Sequence, residues 1–249
     1  MNRMTKLTEI LERLDNGEDL TKVKAETKKF LMTIEPRDLA IAEQRLIEEG
    51  LDPAELQKLC PLHLELLGDQ TFKLKTTLPP GHIVATLINE HETLLCFLDD
   101  LDFVNQSIQK MGEFVSGREE YARLLHIAEQ LIGAESHHQR EEEILFPELE
   151  KRGVFGPPMV MREEHTQLRQ YKRKLLELAQ KVAEMDFLDF SSQLGEVVGF
   201  LVPALREHIF KENNILYPTA LEVIDDEQIW LQLKGECDRV GYCCFTAAL

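Results

Sequence analysis

The stretch that decides the fold is His137-His138-Gln139-Arg140-Glu141-Glu142-Glu143-Ile144-Leu145-Phe146-Pro147, because it returns as His208-Ile209-Phe210-Lys211-Glu212-Asn213-Asn214-Ile215-Leu216-Tyr217-Pro218. Aligned on Ile-Leu-aromatic-Pro, His137 falls on His208 and Glu141 on Glu212. Each pair is spaced His-x-x-x-Glu, which puts imidazole and carboxylate one turn apart on the same helix face. The segments ahead of them repeat as well: Glu90-His91 is followed by Leu94, and Glu164-His165 by Leu168. His91 lies in the otherwise apolar stripe Val84, Leu87, Leu94, Leu98, and His208 among Val198, Leu201, Leu205, Ile215 and Leu216.

Outward from this repeat, the apolar periodicity predicts four long helices over roughly 82–111, 117–150, 157–184 and 187–222. Their connections are short: Met111-Gly112, the turn Gly153 to Pro158, and Met185-Asp186. Four long helices with short connections predict an all-α fold, an antiparallel four-helix bundle. Residues 1–67 read as a small helical domain of short amphipathic helices, with stripes such as Leu7, Ile10, Leu11, Leu14 and Leu56, Leu59, Leu62, Leu66. The polar, Pro79-Pro80-containing segment 68–81 reads as a linker, 82–222 as the bundle, and 223–249 as a tail without a legible pattern. Pro203, inside the fourth helix, should kink it or mark its start.

All four predicted helices thus place a histidine on an apolar stripe, and two add a carboxylate one turn later. Unpaired carboxylates on core faces are costly, and a cation is a natural remedy. The candidate metal ligands are His91, His137, Glu141, His165, His208 and Glu212. Imidazole and carboxylate without thiolate suit iron, manganese or zinc. Six donors exceed one tetrahedral zinc and fit two metals, each with two histidines, bridged by the two carboxylates. His138 with Glu142 is the competing register on the second helix, and the repeat favours His137 with Glu141. His126 and His63 read as structural, and Phe146 and Tyr217 as core plugs.

Composition narrows the alternatives. Lysine and arginine total 28 against 45 acidic residues, a net charge of −17 that repels phosphate backbones and argues against nucleic acid as a partner. No stretch is apolar enough to predict a membrane span, and the charged N-terminal residues show no signal peptide, so a cytoplasmic location is expected. The five cysteines have no CxxC pair, and Cys243-Cys244 reads as plain thiols.

Asn89-Glu90-His91, His137 to Pro147, Glu164-His165 and His208 to Pro218 resemble the hemerythrin-like (HHE cation-binding) family over about 82–220. The resemblance implies a non-haem di-iron centre, Fe2+/Fe3+ with an oxo or hydroxo bridge, that takes dioxygen, nitric oxide or peroxide as a small ligand. Oxygen-carrying relatives have a second histidine on the third helix, four residues after the first; here that position is Arg169. The departure draws the resemblance toward the branch that includes di-iron proteins for repair of iron–sulfur clusters. His82, nearly opposite His91 on the first helix, is a candidate replacement ligand through a kink at the helix start, or else a cap. The N-terminal region, especially Leu59-Cys60-Pro61-Leu62-His63, resembles a small helical domain of unknown function found ahead of such bundles. Three functions stay open: binding or sensing of dioxygen or nitric oxide, a di-iron enzyme acting on peroxide, nitric oxide or iron–sulfur clusters, and a redox-responsive regulatory module. Oligomeric state is not legible.

Overall fold

The computed structural model describes residues 81–246, with Leu78, Pro79 and scattered positions between residues 6 and 50. The first rod of the bundle is α1 (Ile83–Gln109). The second is built from α2 (Glu119–Gly133), α3 (Glu135–Arg140), a π-helical turn (Glu141–Leu145) and α4 (Phe146–Glu150). The third is α5 (Gly156–Lys181). The fourth joins α6 (Phe187–Lys211), a second π-helical turn (Glu212–Leu216) and α7 (Tyr217–Val223). Around the bundle α1 packs on α2, α2 on α5, α5 on α6, and α6 back on α1. The fold is all-α, as the periodicity predicts, and none of the described helices is long and apolar enough to cross a membrane.

Local chemistry sets the ends of the rods. Gly153, at φ +81°, makes the turn between the second and third rods, a conformation that costs glycine little. Pro157 and Pro158 occupy the first turn of α5, where a missing amide hydrogen is harmless. Asp186 caps α6 by accepting from the amides of Leu188 and Asp189. Pro203 lies on the exposed side of α6 and the helix runs through it; Gly199, whose carbonyl loses that amide partner, is itself exposed.

Two features depart from the sequence reading. The second rod is interrupted at Ala134, where ψ is 5°, instead of running as one helix. The tail is not patternless: α8 (Glu227–Val240), capped by Asp226, packs against α1, α3 and the first π turn. It buries only Leu233 and Cys237, too narrow a stripe to stand out in the sequence. Trp230 donates from Nε1 to the Ile224 carbonyl.

The apolar interior divides into two clusters. One gathers Val84, Leu87, Ile88, Leu145, Phe146, Met161, Leu216 and Tyr217. The other gathers Leu94, Leu98, Leu131, Ala134, Leu168, Leu175, Leu201 and Leu205. Between them the sequence places the four histidines of the repeat at one level: His91, His137, His165 and His208. The first cluster also contains Ile10, Val23 and Ala42 of the N-terminal region. Gln44 Oε1 accepts from the amides of Phe155 and Gly156 at the start of α5. A Cβ on Gly156 would come within 3.1 Å of the Gln44 backbone, so a larger residue there would have to push the two segments slightly apart. The expected helix over 53–66, Cys60, His63 and most of segment 68–81 lie outside the described residues.

Candidate metal centre

Each repeated His-x-x-x-Glu pair ends at the first residue of a π turn. His137 and Glu141 sit at α3 and its π turn, and His208 and Glu212 at α6 and its π turn. A π turn holds an extra residue and is common at functional sites. The internal repeat is therefore a repeat of backbone conformation as well as of side chains.

The layer of histidines is closed from solvent: His91, His137, His138, His165, His208, Glu141 and Glu212 are each at most 2% exposed. His91 Nε2 meets His137 Nε2 at 3.1 Å, and His165 Nε2 meets His208 Nε2 at 2.9 Å. The opposite ring nitrogens are all committed. His137 Nδ1 donates to Glu90 Oε2 at 2.7 Å, and His208 Nδ1 to Glu164 Oε2 at 2.8 Å. His165 Nδ1 donates to Glu142 Oε1 at 2.7 Å, and His91 Nδ1 to Asn213 Oδ1 at 2.8 Å. With Nδ1 as the donor in a neutral ring, Nε2 carries a lone pair. The four Nε2 atoms thus face one another in two pairs, His91 with His137 and His165 with His208.

The carboxylates complete the layer. Glu212 reaches both pairs, with Oε2 at 3.0 Å from His91 Nε2 and Oε1 at 2.9 Å from His208 Nε2. Glu141 Oε2 lies 3.5 Å from both His137 Nε2 and His165 Nε2, while its Oε1 accepts from the Tyr217 hydroxyl at 2.8 Å. Both Glu212 oxygens, Glu141 Oε2 and His138 Nδ1 are buried without a hydrogen bond among the described residues. Three groups of donor atoms fall within 4.8 Å of one another: His91, His137 and Glu212; His138, His165 and His208; and Glu141, His165 and Glu212.

Electrostatics follow from burial and these contacts. Burial pushes the Glu141 carboxyl well up, with the Glu212 charge adding to it. At Glu212 burial opposes the charge, but His208 and the neighbouring rings hold its carboxyl well below the usual range. Burial lowers His137 to about 4. At His208 the Glu212 and Glu164 carboxylates outweigh burial and raise it to about 9.

His138 does not lose the contest for register. Both His137 and His138 turn inward, and the His138 ring stacks on His165 at 4.0 Å between centroids. Glu142 does not join the inner layer; it holds His165 from behind and pairs with Arg169 at 2.9 Å. His82 stays away from the layer: its Nδ1 accepts from the Val84 amide as the cap of α1, and its ring packs on Trp230. His126 is exposed beside Phe97. Cys243 is buried and Cys244 exposed, both as free thiols.

The outer residues were the least visible beforehand. Glu90 holds His137 and pairs with Arg140 at 2.6 Å; Glu164 holds His208 and pairs with Lys211. Arg140 and Lys211 are matched positions of the repeat, so the Glu-His step on one helix and the basic residue on the next formed a signal. Lys172 carried no such signal. It is buried on α5 with Nζ 3.4 Å from His138 Nε2, and burial lowers its pKa to about 8. Phe146 stacks on His165, and Tyr217 stacks on His91.

Comparison with known families agrees with this geometry. Residues 82–220 match the hemerythrin HHE cation-binding domain, and residues 7–72 match a family of unknown function (DUF438). No curated protein matches the chain. With the matched segment covering more than half of its length, the chain belongs to the hemerythrin HHE cation-binding domain family.

Proposed function

We propose that the chain holds two iron ions in this layer and uses them to bind or sense dioxygen or nitric oxide. His91 and His137 would hold one ion, and His138, His165 and His208 the other, with Glu212 and Glu141 between them. The observation that carries the reading is the convergence of acceptors. Facing Nε2 atoms about 3 Å apart, with the Nδ1 atoms already donating, must share a proton or a metal cation, and a metal serves both pairs and the carboxylates at once. Buried carboxylate oxygens without hydrogen bonds add to that demand.

The donor set is five imidazoles and two carboxylates, a mixture that suits iron and also accepts manganese. It exceeds what tetrahedral zinc takes. Bound iron would supply the redox-active centre that dioxygen or nitric oxide binding requires. The chain's own residues do the rest. Glu90, Glu142, Glu164 and Asn213 fix the ring tautomers and aim Nε2 inward, as outer partners of metal-bound histidines do. The apolar clusters above and below keep water from the layer. Its closure favours a ligand of diatomic size over a bulky substrate.

Sensing is favoured over simple carriage by two contacts that lead outward. The Thr246 hydroxyl donates to Glu90, tying the C-terminal segment to His137, and Gln44 caps the helix that carries His165. Anaerobic spectra of the iron-loaded, reduced protein test the proposal. Dioxygen or nitric oxide should produce a new absorption band that scales with the di-iron content. Sustained consumption of peroxide or nitric oxide with an electron donor would make the chain an enzyme instead, and no spectral response to either gas would contradict the proposal.

A further inference from the structure

The two halves of the layer obey a pseudo-twofold relation, so the positions where they differ are informative. His138 has Ile209 as its repeat counterpart, giving three imidazoles to one end and two to the other. Tyr217 has Phe146 as its counterpart. Both rings stack on a histidine, Tyr217 on His91 at 5.6 Å and Phe146 on His165 at 6.0 Å. Only Tyr217 adds a hydroxyl, and it sits at the two-histidine end, 3.4 Å from His137 Nε2. That hydroxyl donates to Glu141 Oε1 at 2.8 Å. The carboxylates differ accordingly. Glu212 has both oxygens turned to the histidine pairs, whereas Glu141 offers Oε2 alone.

We propose that Tyr217 is a positioning residue: by holding one oxygen of Glu141, it stops that carboxylate from filling the two-histidine end and keeps a position there open for a small anionic ligand. The inference rests on the di-iron reading above. Both departures from symmetry act in the same sense. The extra imidazole fills the three-histidine end, and the hydroxyl withholds a donor from the other. Octahedral metals would leave that other end with the larger shortfall of protein donors. Removing the hydroxyl frees Glu141 Oε1 to coordinate, and an incoming anion must then displace it. The ring itself can be phenylalanine without disturbing the packing, because Phe146 already fills the matching place.

The test uses the full chain loaded with iron, oxidised, and titrated with azide, following the azide-to-iron absorption band. Tyr217→Phe should retain the wild-type iron content and thermal transition while binding azide about tenfold more weakly, the equivalent of one competing contact. A variant that keeps its iron and binds azide as tightly as the wild type overturns the proposal and leaves the di-iron reading standing. Wild-type protein that holds two irons and binds no azide overturns it whatever the behaviour of the variant. A tyrosinate-to-iron band in the wild type, lost in Tyr217→Phe, also overturns it, because the phenol would then be a ligand itself. Wild-type protein unable to hold two irons overturns the di-iron reading and this inference together.

Discussion

His208 and Glu141 are the residues at which metal and protons compete. In the metal-free layer the Glu212 and Glu164 carboxylates, outweighing burial, raise His208 to about 9, and burial with the Glu212 charge keeps Glu141 protonated. Both must lose a proton to offer a lone pair to a cation. Metal affinity should therefore rise with pH through the neutral range until His208 deprotonates near 9. Each proton released contributes about tenfold per pH unit, measurable by chelator competition at several pH values. A flat affinity between pH 6 and 8 would show that neither proton is displaced. His138 carries the second prediction at this scale. His138→Ile copies the repeat counterpart Ile209, so the bundle should fold while the three-histidine end loses a donor. Metal analysis should find one of the two ions lost or weakened by about ten- to a hundredfold. Unchanged content and affinity would remove His138 from the metal set.

At the scale of elements, the two π turns set the register on which the layer depends. Glu143 is an exposed residue of the first turn, so deleting it removes the extra residue without cutting into the core. The turn should relax to α-helix, keeping Leu145, Phe146 and Leu149 near their present directions but closing the wide turn that sets Glu141 and Glu142 beside the histidines. Helical circular dichroism should persist while iron content falls. Retention of full iron content would mean that the π turn is incidental. These turns also mark the limit of what was legible beforehand. The His-x-x-x-Glu spacing ends at Glu141 and Glu212, where the π turns begin, so side-chain spacing carried no trace of them. The four rods were legible from their apolar stripes, with ends close to those observed. The inward turn of His138 was not, because adjacent residues on an ideal helix point about 100° apart and only one was expected to face the layer. Helix α8 was hidden for a simpler reason: one leucine and one cysteine are too small a buried stripe to outweigh its charged residues.

Across the whole molecule, the polar layer lies between two apolar clusters. Seven buried donors without metal leave crowded ring nitrogens and carboxylate oxygens lacking hydrogen bonds in the middle of the bundle. Ions bound only in the folded state stabilise it by mass action, by about 4 kcal/mol when free metal stands a thousandfold above its dissociation constant. Chelation should therefore lower the thermal midpoint by several degrees, with full recovery on adding ferrous iron back. An unchanged midpoint would place any metal outside the folded core. On the proposed reading, one chain holds two irons between five histidines and two glutamates. Its most direct test is the metal content of protein purified natively without added metal, measured per chain by elemental analysis. Two irons per chain are expected; one ion or none, or a pair of some other metal, would rule the di-iron layer out.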